Sequence, residues 1–269
     1  MSGFSANWLA LREPFDRRAR NADVLEAVVG SLKQHASVRI ADLACGTGST
    51  LRALTSRLPA HQHWRLADND LGLLARAAAS PRAESVTVAT MPLDLNRDLE
   101  AALDGPVDLV TTSALLDLVS ESWLERLAVE IAARAIPLYA ALSYDGRIAL
   151  TPADPLDEAV VAAVNAHQRT DKGFGPALGP QAAGYAIARF RALGYAVVHG
   201  ASDWSFGPDD RAIQTETLNG WAAAARAMDA LPSAEIEAWL ARRSDAVAAG
   251  RSALRVGHVD FFAAPTGTR

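Results

Sequence analysis

The sequence predicts an α/β protein built on a doubly wound, mostly parallel sheet, and three observations carry that prediction. Short apolar runs alternate with stretches of helical periodicity from residue 38 to about residue 150. The connections between them are short, as parallel strands joined through helices require. The first apolar run ends in an acid and a small-residue turn, Asp42-Leu-Ala-Cys-Gly-Thr-Gly48, where a buried parallel strand feeds a helix.

Taken in order, Trp8, Leu9 and Leu11, then Val24, Leu25, Val28 and Leu32, recur at helical spacing with Pro14 between them. That pattern predicts a short helix, a break at Pro14, and a longer helix from Asn21. Residues 38–43 predict a strand, 49–57 a helix, 63–68 a second strand and 71–79 a second helix. A strand at 85–89 follows, then a helix beginning near Arg97, a strand at 107–112 and a helix over 122–135. Residues 138–143 predict a strand, with a turn at Asp145-Gly146 before a separate strand at 147–150. The last 120 residues are less regular. They carry helical patterns at 156–168, 181–193, 216–228 and 233–248, and strands at 195–199 and 254–263.

Composition narrows the function classes. Of 269 residues half are hydrophobic, and the net charge of −5 supplies no basic field for nucleic acid. One cysteine, Cys45, excludes an internal disulfide framework and a multi-cysteine zinc site, so no metal is expected. Residues 1–8 lack a basic segment followed by an apolar one, and no apolar run approaches the roughly 20 residues that span a bilayer. The expected setting is cytoplasmic, with a small-molecule partner, no nucleic acid and no membrane. Oligomeric state does not follow.

Gly46 and Gly48 let the backbone pass close to a ligand where a side chain would collide. Twenty residues on, Asp68 ends the second predicted strand, where an acid can accept from two ribose hydroxyls. Asp94-Leu95 follows the third strand, where a carboxylate can take an adenine amine. Asp108 opens the fourth strand, whose far end carries Thr111, Thr112 and Ser113. In a doubly wound sheet these carboxyl ends line one crevice.

Through Asp42-Leu-Ala-Cys-Gly-Thr-Gly48, Leu66-Ala-Asp-Asn-Asp70, Pro92-Leu-Asp-Leu95 and Val107-Asp-Leu-Val110, the sequence resembles the class I S-adenosylmethionine-dependent methyltransferases over roughly residues 38–150. The resemblance implies a Rossmann-like, seven-stranded sheet with added helices at the N-terminus and in the C-terminal half; residues 254–263 would supply its antiparallel strand. It implies one domain over 1–269: an N-terminal helical cap at 1–36, a cofactor-binding half at 37–150, and a substrate loop, helices and closing strands at 151–269. It implies S-adenosylmethionine as cofactor, its methionine part over Asp42, Ala44, Cys45, Gly46 and Gly48. Asp68 would hold the ribose, Asn69 would pack beside the adenine, Asp94 and Leu95 would line the adenine end, and Ser113 would sit beneath the methionine. Arg12 or Arg20 would pair with the methionine carboxylate. Two positions depart from the family pattern. Ala44 stands where the family has its first loop glycine, which the turn tolerates if its φ is negative. Ala135-Ile-Pro137 replaces the glycine pair before the fifth strand.

Methyl transfer mainly requires alignment and shielding, with a base only where the acceptor bears a proton. The candidates for catalysis are His167, Asp117 and Tyr144. Asp117 follows the fourth strand in Ser113-Ala-Leu-Leu-Asp117, with a helix cap as its competing role. Tyr144 lies in Ser143-Tyr-Asp-Gly-Arg147 after the fifth strand, which equally reads as a hairpin turn. His167 lies in Asn165-Ala-His-Gln-Arg-Thr-Asp-Lys-Gly-Phe-Gly-Pro176, a polar, aromatic loop suited to a lid, where Arg169 and Lys172 are able to receive an anion. Trp204, Trp221 and Trp239 read as core or interface packing. Two other functions remain open: a non-catalytic S-adenosylmethionine or S-adenosylhomocysteine binder, and a nicotinamide-dependent dehydrogenase, whose glycine spacing Ala44-x-Gly46-x-Gly48 does not match.

Overall fold

The structure is a computed structural model that describes residues 5–267. Residues 1–4, on which part of the leader-peptide expectation falls, lie outside the described residues. In chain order the elements are α1 (Ala6–Ala19), α2 (Ala22–Leu32), β1 (Ser37–Leu43), α3 (Ser49–Leu54), β2 (His61–Asp68), α4 (Leu71–Ala78), β3 (Val86–Pro92), α5 (Leu99–Ala102), β4 (Leu109–Ser113), α6 (Glu121–Ala133) and β5 (Leu138–Thr151). There follow α7 (Asp157–His167), α8 (Ala182–Ala192), β6 (Tyr195–Ala201), β7 (Trp204–Phe206), α9 (Arg211–Ala227), α10 (Ser233–Ala248) and β8 (Ala253–Pro265).

The sheet runs β3-β2-β1-β4-β5-β8-β6, and the short β7 adds an eighth strand by pairing with β8. The strands from β3 to β5 are parallel, while β8 inserts antiparallel between β5 and β6. The expected seven strands are therefore present, and β7 is an addition that three residues between Ser202 and Gly207 were too short to announce. Strand order reverses between β1 and β4, so their carboxyl ends open the crevice in which doubly wound sheets bind ligands.

Continuous apolar runs in β1, β4 and β5 follow from burial on both faces. One face is covered by α2, α3 and α4 through Val24, Val28, Leu51, Leu54 and Leu74. The other is covered by α5, α6 and α8 through Leu99, Trp123, Leu127 and Phe190. A third core lies beyond the sheet's carboxyl edge, where Val160 of α7, Ile213 and Leu218 of α9, and Ile236 and Trp239 of α10 pack with Trp204 and Phe206. That layer forms a roof over the crevice.

Two expectations are corrected. α1 runs unbroken through Pro14. The missing N–H removes one helical hydrogen bond, but contacts on both sides of the proline hold the helix. Phe15 meets Phe206 edge-on at 4.9 Å, and Asp16 accepts from Arg12 Nε and Trp204 Nε1, each at 2.9 Å. β5 is one strand rather than two separated by a turn. Its register against β8 shifts between Ala140 and Ser143 and again between Tyr144 and Ile148, so Asp145-Gly146 is a bulge.

Candidate functional site

The crevice is lined by backbone held in uncommon conformations. Ala44 after β1 has φ +53°, Ala114 after β4 has φ +52°, and Leu142 within β5 has φ +56°. Gly46 and Gly48 add φ +53° and +82° in the loop between. Side chains rarely adopt this region, and such residues concentrate where a fold shapes a binding site. The negative φ expected of Ala44 is thus corrected: the alanine takes the left-handed turn that glycine would take.

Buried polar side chains hold these turns. Leu142 N donates to Asp260 Oδ1 at 2.7 Å, and Asp260 Oδ2 accepts from Asn21 N at 3.0 Å and from the Tyr139 hydroxyl at 3.3 Å. Arg20 Nη1 donates to the same hydroxyl at 3.0 Å. Behind the loop, Asp42 Oδ1 accepts from Thr111 Oγ1 at 2.7 Å, while its buried Oδ2 has no partner among the described residues. Burial pushes the Asp42 carboxyl up to about 7. Asp68, at the end of β2, supports the loop from the side: Oδ2 accepts from Gly46 N at 2.8 Å and Oδ1 from Asp70 N at 3.0 Å.

α1 lies over this loop. A Cβ on Gly46 would stand 3.3 Å from Leu9 Cδ1, and Arg52 Nε and Nη2 each donate at 2.6 Å to the carboxylate of Glu13 on α1. Beneath α1 is a cleft of about 130 Å³ that Asp68, Ala44, Cys45, Ser113 and Arg12 help to line. Arg12 uses Nε to bind Asp16, and its Nη atoms make no hydrogen bond to the described residues.

A larger cavity, about 450 Å³, adjoins the cleft and shares Arg12, Ala114 and Leu118 with it. Five aromatic rings stand in its wall: Trp8 of α1, Tyr144 of β5, Trp204 of β7, Trp221 of α9 and His258 of β8. Asp117 opens into it, buried, with Oδ1 3.4 Å from Tyr144 N. Burial pushes the Asp117 carboxyl up to about 6. The Tyr144 hydroxyl donates to Asn165 Oδ1 at 2.8 Å.

Residues 40–137 match a family model described as a methyltransferase domain. Over those residues the chain is similar to the methyltransferase domain family. Solved structures agree in fold. The cyclopropane synthase MmaA2 of Mycobacterium tuberculosis is 11% identical, with a TM-score of 0.53 over 97% of this chain and 94% of that one. A cyclopropane-fatty-acyl-phospholipid synthase-like protein of Lactobacillus casei is 14% identical, with a TM-score of 0.53 over 96% and 94%. A putative methyltransferase of Bacillus halodurans is 13% identical, with a TM-score of 0.51 over 91% and 100%. Among curated proteins none matches the sequence.

The residues present fit the family's cofactor, S-adenosylmethionine, which supplies an electrophilic methyl group when bound. Asp68 lines the cleft with acceptor capacity left for hydroxyls. Asp42 Oδ2 is a buried acceptor without a donor, and the Arg12 Nη atoms are free for a carboxylate. At about 130 Å³ the cleft is smaller than the roughly 300–1,000 Å³ usual for small-molecule sites. α1 is the element that lies over this cleft.

Of the methyltransferase residues expected from sequence, Ala44, Cys45, Asp68 and Ser113 line the cleft. Burial raises the Cys45 thiol far above its usual range, which leaves it an inert filler of the turn. Gly46 and Gly48 shape the loop, and Asp42 stands behind it. Asn69 and Asp94 are exposed, and Leu95 is buried with its carbonyl accepting from Trp123 Nε1 at 2.8 Å; none of the three lines the cleft. Arg20 lines neither space. It is sealed between Tyr139 and Thr50, whereas Arg12 lines both spaces.

His167, Asp117 and Tyr144 all line the larger cavity. Lys172 Nζ stands 3.3 Å from His167 Nδ1, and burial together with that ammonium lowers the imidazole's pKa. Arg169 and Lys172 do not line the cavity. The loop that bears them is pinned rather than free: Asp171 Oδ1 accepts from Gly173 N and Gly175 N, and Phe174 packs edge-on to Trp123 at 5.3 Å. Trp239 and Trp204 are core, as expected, and Trp204 and Trp221 also line the larger cavity. His258 was missed by sequence reasoning. Its signal is the alternation in β8, where His258 and Asp260 fall on the same buried face as Leu254 and Val256.

Proposed function

We propose that the protein methylates a small-molecule acceptor held in the 450 Å³ cavity, with the cofactor in the cleft beneath α1. The observation that carries this reading is the junction of the two spaces at Arg12, Ala114 and Leu118. A donor seated over the glycine loop and an acceptor under the helical roof would meet there, shielded from water, which is the alignment methyl transfer needs.

Asp68 would hold the ribose hydroxyls, and Arg12 the methionine carboxylate. Asp117 is the first candidate to take a proton from the acceptor. It opens into the acceptor cavity one residue from Leu118 of the junction, and its carboxyl at about 6 stays largely ionised at neutral pH while remaining a usable base. His167 faces the same cavity and is neutral there. Tyr144, whose burial and acidic neighbours hold its phenol above the usual value, is a hydrogen-bonding wall rather than a base.

The test is a crystal structure with S-adenosylhomocysteine. The reading expects its ribose against Asp68 and its sulfur facing the junction at Ala114. A ligand seated elsewhere, or with its sulfur turned away from the larger cavity, would overturn it.

A further inference from the structure

Two of the hydrogen-bond acceptors facing the larger cavity are His258 Nε2 and the Asp117 carboxylate. His258 Nδ1 lies 3.1 Å from the Val256 carbonyl. A carbonyl only accepts, so Nδ1 carries the proton and Nε2 is a bare lone pair. Nε2 makes no hydrogen bond to the described residues and is not walled off from the cavity that its ring lines. Trp204 at 4.8 Å and Tyr144 at 6.1 Å fix the ring on both sides. The Asp117 carboxylate is the second acceptor.

The charges argue against an ionic ligand. Among the described residues Arg12 is the one arginine or lysine that lines the cavity, and in the proposed arrangement its Nη atoms serve the cofactor's carboxylate. Asp117 and Glu216 on the same wall would oppose an anion. A cation at the Trp204 ring would meet the Arg12 guanidinium, which already covers that ring at 5.0 Å. Aromatic wall residues bury flat rings, and a neutral ligand avoids the desolvation cost of a charge.

We propose that this cavity binds a planar, uncharged aromatic alcohol, one hydroxyl of which donates to His258 Nε2 and is distinct from the acceptor oxygen that faces Asp117. The proposal rests on reading the 450 Å³ space as the acceptor site, and it makes His258 the residue that selects acceptors bearing a hydroxyl donor.

Four probes test it on the full chain without cofactor, by quenching of tryptophan fluorescence: 2-naphthol, 2-methoxynaphthalene, 2-naphthoate and 2-naphthylmethylammonium. Naphthol is expected to bind at least about tenfold more tightly than each of the others, since an unmet acceptor at His258 Nε2 or a buried charge penalises them. His258→Phe should erase the preference of naphthol over its methyl ether while keeping the ether's affinity. In wild-type protein labelled with ¹⁵N-histidine, naphthol should shift the Nε2 resonance of His258 and the ether should not, a readout that does not depend on the variant folding. Equal binding of naphthol and ether, tightest binding of either ion, an unmoved Nε2 resonance, or no binding of any probe would overturn the proposal. These measurements need no cofactor. Their failure would leave the methyltransferase reading standing, and failure of S-adenosylhomocysteine to bind would leave theirs intact.

Discussion

Arg52 and Glu13 form a two-point ion pair, 2.6 Å at each contact, that fastens α1 to the start of α3. The same guanidinium reaches the Thr47 carbonyl in the glycine loop and Ser80 Oγ after α4. One side chain thus ties the helix that covers the cofactor cleft to the loop that forms its floor.

Breaking that tie should change how fast the cleft opens. Glu13→Gln is expected to raise both the association and the dissociation rate of S-adenosylhomocysteine at least about threefold, because α1 lies over the cleft. The pair is partly exposed, so the cost in stability should stay near ~1 kcal/mol or below. Stopped-flow tryptophan fluorescence measures the rates. Unchanged rates would show that opening does not depend on this pair.

Asp42 makes stability depend on pH in an unusual direction. Its carboxyl titrates near 4 when unfolded and at about 7 when folded. Between those values the folded state binds more protons than the unfolded state, so stability falls as pH rises through the window. Asp42→Asn keeps the shape and removes the charge. Its stability relative to wild type should improve by about 1–4 kcal/mol between pH 5 and pH 8. Urea midpoints at the two pH values check this. A variant that tracks wild type at both would contradict it.

Ala44 stores backbone strain at φ +53°. Ala44→Gly should relieve about 1–2 kcal/mol of that strain and lose part of it to the freer unfolded chain, for a net gain of about 0.5–1 kcal/mol. Thermal or urea unfolding measures it. A loss of stability would mean that the alanine methyl packs usefully in the turn.

The parallel half of the fold was legible because its signals are local. Runs such as Val38-Arg-Ile-Ala-Asp-Leu43 are mostly apolar, with residues 40–43 buried on both faces, and the turns after them sit at fixed places relative to the strands. Asp68 and Ser113 could be placed on the same ground. What failed to show depends on distant contacts. α1 passes through Pro14 because Phe206 and Trp204 hold it from more than 180 residues away. β5 continues past Asp145-Gly146 because β8 pairs with it on both sides of the bulge. Arg20 and Arg12 are indistinguishable by spacing along one helical stretch; only the fold turns the first toward Tyr139 and the second toward the cleft. The larger cavity is drawn from α1, β5, β7, α7, α9 and β8. No window of sequence contains it.

The most direct test of the central claim, that the cleft beneath α1 holds the methyl donor against Asp68, is isothermal titration of S-adenosylhomocysteine into wild type and Asp68→Ala. Wild type should bind one equivalent, and the variant should bind at least about tenfold more weakly, near 1.4 kcal/mol, through loss of a charge-assisted ribose contact. Equal affinity in the two proteins, or no binding to wild type, would contradict the account.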